Sequence, residues 1–238
     1  MIEQKIRNAI LPLYLQLIKD IRQSNHTDDL VCFAAQWGRF FPKKEKDGIL
    51  FVGRATNGWF HYTPDITVLF GTSENAIFNR PDQMRWVDDL DGSQTGYNSR
   101  KSAFWRVIRR ISKHLYPEPE ISYVAWSNVC KIAPNVGNPS NALYYLQLET
   151  CKKIIKAEIE SFSPRFVIFL TGWGWCKDFV EYLIPNYQKH ETKNEKWGNY
   201  LVHTYDYCNR IYIVSEHPQG KPEHSHVEAI TRSIDNYR

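Results

Sequence analysis

Ile6, Ile10, Leu13, Leu17 and Ile21 recur at spacings of four, three, four and four, the repeat of one face of an amphipathic helix. Pro12 falls inside this stretch and predicts a kink or a restart, because proline removes a backbone donor and crowds the preceding turn. Polar residues 25–29 end the helix. Residues 48–53, Gly-Ile-Leu-Phe-Val-Gly, form a continuous apolar run closed by glycine, the pattern of a strand buried on both faces. Residues 54–99 carry no long helical pattern but hold Asp88, Asp89, Asp91, Gly92 and Gly96. A connection this long is functional or carries small elements of its own.

Ala103, Val107, Ile111 and Leu115 mark a second helix, with Phe104 and Ile108 widening its apolar stripe. Its other side holds Arg106, Arg109, Arg110 and Lys113, either simply solvated or following phosphates. Residues 123–126 read as a strand from which Ser127 and Asn128 depart. Leu148, Cys151, Ile155, Ile159 and Phe162 define a helix that stops before Pro164, since a residue preceding proline disfavours helical backbone. Residues 165–170 form a third buried strand ending in Thr171-Gly172, followed by a short helix at 176–183. Residues 185–199 are polar and read as a surface excursion. Residues 200–207 and 210–214 pair across the tight-turn dipeptide Cys208-Asn209, and the latter segment is also a fourth core strand leading into His217-Pro218. Val227, Ile230 and Ile234 mark a closing helix.

Strands alternating with helices imply parallel pairing, because parallel neighbours need crossovers. The expectation is one domain over residues 1–238, with an N-terminal helix at 1–24 and an α/β core at 48–238. Its architecture is read as three-layer α/β/α, with a central, mostly parallel four-stranded sheet.

Composition narrows the function classes. A hydrophobic share of 42% in 238 residues opposes disorder and supports a well-buried core. The formal charge of +4 permits nucleic-acid binding without requiring it. The five cysteines are scattered, with no Cys-x-x-Cys pair, which opposes a disulfide framework, a zinc ribbon and an iron–sulfur cluster. Free thiols fit a reducing compartment. With no long apolar run and a polar start at Met1-Ile2-Glu3-Gln4-Lys5, the expectation is a cytoplasmic monomer that meets no membrane. Neither a Gly-x-Ser-x-Gly elbow nor a phosphate-loop lysine signature is present, which weighs against those hydrolase and nucleotidase classes. His217, Glu223, His224 and His226 are potential metal ligands, but histidines two apart do not share a helix face; no metal and no cofactor is assigned. Asp88, Asp89 and Asp91 lack the bidentate glutamate of a calcium loop.

Ligands of open parallel sheets bind beyond the carboxyl ends of the strands. Those ends empty here into Gly53-Arg54-Ala55-Thr56-Asn57-Gly58-Trp59-Phe60, Asn128-Val129-Cys130-Lys131, Thr171-Gly172-Trp173-Gly174-Trp175 and Ser215-Glu216-His217-Pro218. The expectation is that these tips converge on one hollow. Blander roles stand beside this one: Asn128 as a turn cap, His217 as a hydrogen-bonded structural residue, Gly53, Gly58 and Gly172 as turn formers, and Arg54 in a surface ion pair.

The same segments carry a resemblance. Val52-Gly53 with its small-residue loop is similar to the first motif of the uracil-DNA glycosylase superfamily. Asn128-Val129-Cys130-Lys131-Ile132-Ala133-Pro134 with Asn138-Pro139 resembles the middle segment. Phe162-Ser163-Pro164-Arg165 before a buried strand and Gly172 resembles the next, and Glu216-His217-Pro218 resembles the second catalytic motif. The match runs in order from about residue 48 to 230. It implies excision of a flipped base from single- or double-stranded DNA. Asn128, with a donor and an acceptor, reads a uracil-like edge; His217 donates to the departing base oxygen; Trp59 or Phe60 stacks on the base. Arg54, Lys131, Gly53 and Gly172 complete the expected binding set.

The first motif departs from the pattern. Arg54 and Ala55 stand where active members place Asp, Glu or Asn, and Thr56 stands where proline is usual. Asn57 is the nearest amide and takes the second catalytic place beside His217; Asp65 is the nearest acid. The second motif continues Gln219-Gly220-Lys221, without its customary serine. Two alternatives therefore stay open: a non-catalytic module binding nucleic acid or a nucleotide, and an enzyme acting on a small nucleoside-like substrate.

Overall fold

The computed structural model describes residues 2–24, 29–41, 48–58, 60–61, 66–70, 82–93 and 97–238. The chain is mixed α/β and its contacts divide into two compact units, each assembled from separated stretches of sequence. The first comprises residues 1–36, 53–81 and 127–163, and the second residues 37–52, 82–126 and 164–238.

In the first unit, α1 (Ile2–Gln23) runs without a break through Pro12, where the sequence suggested a kink or restart. Its face of Ile6, Ile10, Tyr14, Leu17, Ile18 and Ile21 is buried, and it packs on α4 (Asn141–Phe162). This apolar seam offsets the hydrogen bond that proline removes. Leu13, expected on the buried stripe, is only half-buried, while Tyr14 is fully enclosed and donates its hydroxyl to the Phe33 carbonyl at 2.6 Å. Three short strands, β1 (Leu30–Cys32), β4 (Phe60–His61) and β6 (Ile132–Pro134), form an antiparallel sheet in the order β4-β1-β6. Segments of two and three residues are too short to show a periodicity. A short helix, α2 (Thr67–Phe70), also lies in this unit.

Among the described residues, the main sheet has seven strands rather than four. Its order is β2 (Gln36–Trp37), β5 (Val124–Asn128), β3 (Ile49–Gly53), β7 (Phe166–Leu170), β10 (Arg210–Ser215), β9 (Tyr200–Tyr207) and β8 (Glu191–Trp197). The four strands read from apolar runs sit side by side as β5-β3-β7-β10. β7 pairs in parallel with β3 and β10, but β10, β9 and β8 pair antiparallel. The sheet is therefore mixed, and the expectation of a mostly parallel four-stranded sheet is corrected. The polar excursion at 185–199 contains the edge strand β8, whose exposed Glu, Lys and Asn residues suit an edge that must not recruit another strand. The turn expected at Cys208-Asn209 is present, with φ of 53° and 60°, the two positive values that a tight primed hairpin turn requires.

Three helices accompany this sheet in the second unit: α3 (Ala103–Leu115), α5 (Trp173–Leu183) and α6 (Glu223–Asp235). Ser102 caps α3 by accepting from the Trp105 backbone N–H at 3.4 Å. α3 packs on α6, and α5 on β10. Among the described residues, no helix is long and apolar enough to cross a membrane.

Candidate functional site

In the first unit, β3 and β5 release their chains into loops that are tied together. The Gly53 and Arg54 carbonyls accept from the Val129 and Cys130 backbone N–H groups, each at 2.9 Å. Farther out, Asn57 Oδ1 accepts from the Gly137 N–H at 3.0 Å, and the Thr56 hydroxyl donates to the Gly58 carbonyl at 2.9 Å. The sequence-predicted residues Gly53, Arg54, Asn57, Asn128 and Lys131 thus meet in one pair of loops.

Asn128 ends β5 with only 1% of its surface exposed, and its Nδ2 has no hydrogen-bond partner among the described residues. A buried amide donor left unsatisfied costs about 1–3 kcal/mol, so this group is poised for an acceptor. Asn57, assigned a catalytic place, is exposed and its acceptor is engaged in the loop. Arg54 is half-buried.

Lys131 departs from the expected substrate contact, because its side chain is completely buried. Its ammonium reaches Ser127 Oγ at 2.6 Å and both Glu158 carboxylate oxygens at 2.9 Å, while the Ser127 hydroxyl donates to Glu158 at 2.7 Å. The three ammonium protons match three acceptors. Burial pushes the Glu158 carboxyl up, opposed by the Lys131 charge and by hydrogen bonds from Ser127 and Lys131. Gln147, fully enclosed on α4, accepts from the Lys131 and Ile132 N–H groups at 3.0 Å and donates to the Ile132 carbonyl at 2.8 Å. Ser127, Gln147 and Glu158 were absent from the sequence-based site. One signal was legible: Glu158 lies on the apolar face of α4 with Cys151 and Ile154, where an unpaired carboxylate is almost never buried.

Cys32 and Cys151 are pushed up to about 12 by burial. Burial likewise raises Cys130. These thiols are packing residues rather than nucleophiles.

Trp59 and Asp65 lie outside the described residues. Phe60 starts β4 and pairs through its backbone with Cys32.

In the second unit, the ends of β7 and β10 are joined where the Gly172 N–H donates to the Ser215 carbonyl at 2.9 Å. Gly172 has φ of 80°, a value that penalises any side chain, and it opens α5. His217 is half-buried just beyond β10. Its ring lies nearly parallel to Phe104, with centroids 6.0 Å apart and planes 13° apart, and its Nδ1 accepts from the Gln219 N–H at 3.3 Å. Phe104 continues into a ring cluster through Trp105, Trp126, Trp86 and Tyr97.

The basic side of α3 is largely neutralised. Arg106 Nε donates to Glu223 at 3.0 Å, and Arg109 reaches Asp88 at 3.1 Å and Glu120 at 2.9 Å. Arg106 holds the Glu223 carboxyl below the usual range. The potential metal set is dispersed in the same way: Glu223 faces Arg106, His224 faces Glu228, and His226 faces Ser215 and Trp197. Among the described residues, no group of three or more His, Cys, Asp and Glu could hold a metal ion.

No protein-family model and no curated protein matches the chain.

Proposed function

We propose that the chain is a DNA-base glycosylase-like protein on a three-layer α/β/α scaffold, hydrolysing the N-glycosidic bond of a uracil-like or damaged base taken out of the stack. The Asn128 carboxamide carries this reading: it is buried at a core strand end and its Nδ2 lacks a partner among the described residues. A carbonyl oxygen on a pyrimidine edge supplies the missing acceptor. The motif resemblance gives His217 the departing base oxygen. Its stacking on Phe104 supports a fixed ring orientation, the preorganisation that such a donor needs.

The test is incubation with single- and double-stranded oligonucleotides bearing uracil, hypoxanthine or an alkylated base. Abasic sites are expected on one of them. Asn128→Ala and His217→Ala should each lower the rate by about 10²-fold or more, the effect of removing one preorganised hydrogen-bonding group. Unchanged rates in both variants would sink the proposal.

Arg54 and Ala55 in place of the first-motif acid favour a second reading, a nucleic-acid or nucleotide-binding module without turnover. Salt-sensitive binding with no abasic product identifies it. Turnover of free nucleosides alone identifies the small-substrate alternative.

A further inference from the structure

We propose that Ser127, Lys131 and Glu158 form a positioning network that fixes the Asn128 carboxamide and so sets which base edge the protein accepts. This rests on reading Asn128 as the base-recognising group. Ser127 and Lys131 flank Asn128 along the chain, and both converge on one carboxylate from α4. The strap spans the end of β5, where Asn128 sits, and the segment that follows it. The intervening backbone is held separately: Val129 to Gly53, Cys130 to Arg54, and Lys131 to Gln147. Residues 127 to 131 are thus held by strand pairing, backbone hydrogen bonds or the buried network, while the Asn128 Nδ2 has no partner among the described residues.

Stability alone does not account for the network. A fully buried ion pair carries a large desolvation cost, and well-packed apolar replacements are often neutral or stabilising. What such a pair provides is one geometry. Its three members leave no spare donor on Lys131, so the segment from Ser127 to Lys131 cannot shift without breaking a charged contact. An amide held in one orientation distinguishes an acceptor from a donor at the same point on a base edge; a mobile amide rotates and accepts both.

The informative variant is the double replacement Lys131→Met with Glu158→Leu, which removes both charges together. Two readouts apply. The first is the Asn128 side-chain NH2 resonance in the ligand-free protein, assigned by its loss in Asn128→Asp. The second is the ratio of kcat/KM for uracil-containing over cytosine-containing oligonucleotides, because cytosine carries an amino donor where uracil carries a carbonyl acceptor. The double variant is expected to melt near the parent temperature, to lose the ordered NH2 signal, and to drop the ratio about tenfold or more, the order of a coupling between neighbouring groups. Ser127→Ala keeps the ion pair and removes only the bridging hydroxyl, so it serves if the double variant does not fold. It should broaden the same resonance and lower the ratio by about threefold. A parent-like resonance in the folded double variant, or in Ser127→Ala should the double variant fail to fold, overturns the proposal. If the parent protein acts on no oligonucleotide, the glycosylase reading fails, while the resonance still decides whether the network orders Asn128.

Discussion

His226 lies flat against Trp197, with ring centroids 4.0 Å apart and planes 2° apart, and its Nε2 sits 2.7 Å from Ser215 Oγ. Burial, reinforced by Lys221 and His217, lowers its pKa from the ordinary 6.5 to about 3. The folded protein therefore holds this ring neutral across a range where the unfolded chain protonates it. The stabilisation is complete above about pH 6.5 and is lost as pH falls towards about 3, at up to about 1.4 kcal/mol per pH unit. The melting temperature should fall between pH 7 and pH 4, and His226→Gln should flatten that fall. A profile identical to the parent's would show that other groups carry the acid sensitivity. From sequence alone His226 read as one histidine of a potential metal set. Its neighbours Trp197 and Ser215 are 29 and 11 positions away in the chain, so no local pattern announced the sealed ring.

Elements with long apolar periodicity were legible: α1, α3, α6 and the strands β3, β7 and β10 arise where the hydrophobic pattern puts them, while α4 starts earlier than its pattern, at Asn141, and β5 continues through Ser127 and Asn128. The short strands were not. β2 is two residues long and is fixed by a close approach at Gly38, whose N–H donates to the Val124 carbonyl at 3.0 Å. A Cβ at Gly38 would lie 2.3 Å from the Ser122 carbonyl oxygen and 2.4 Å from its Cα. Those are backbone atoms and cannot rotate aside. Gly38→Ala should therefore destabilise by about 1–3 kcal/mol, the range for overpacking, read as a lowered denaturant midpoint at unchanged slope. A midpoint equal to the parent's would show that β2 moves away at little cost. Nothing in the local sequence separates this glycine from a simple turn former, because the clash is with residue 122.

Across the whole molecule the formal charge is +4, but two cations of the α3 side read as either solvated or following phosphates are committed to carboxylates. Arg106 and Arg109 are tied to Glu223, Asp88 and Glu120. On the proposed DNA-binding reading, few phosphates are then left for this side to neutralise. The dependence of log affinity on log salt for a DNA oligonucleotide should have a slope of about −2 to −3, corresponding to roughly two or three neutralised phosphates. Arg106→Ala should lower thermal stability and leave that slope unchanged. A steep slope, or one that shrinks in Arg106→Ala, would place a phosphate track along α3.

Periodicity acts over neighbouring residues, so the longer helices and the four core strands were readable from the chain alone, with the loops that follow those strands. It also placed Gly53, Asn128 and Gly172 at strand tips and put His217 just beyond one. What each tip touches depends on contacts made only in the folded chain. Lys131, read as a substrate contact, turned inward because Glu158, 27 positions away, supplies the buried partner its charge requires. The polar stretch at 185–199 contributed a seventh strand because β9 offered it an edge. The first outcome depends on a partner far along the chain and the second on the strand next to it, which became an edge only when β9 paired with β10; burial, charge pairing and strand pairing are set by neighbours in space.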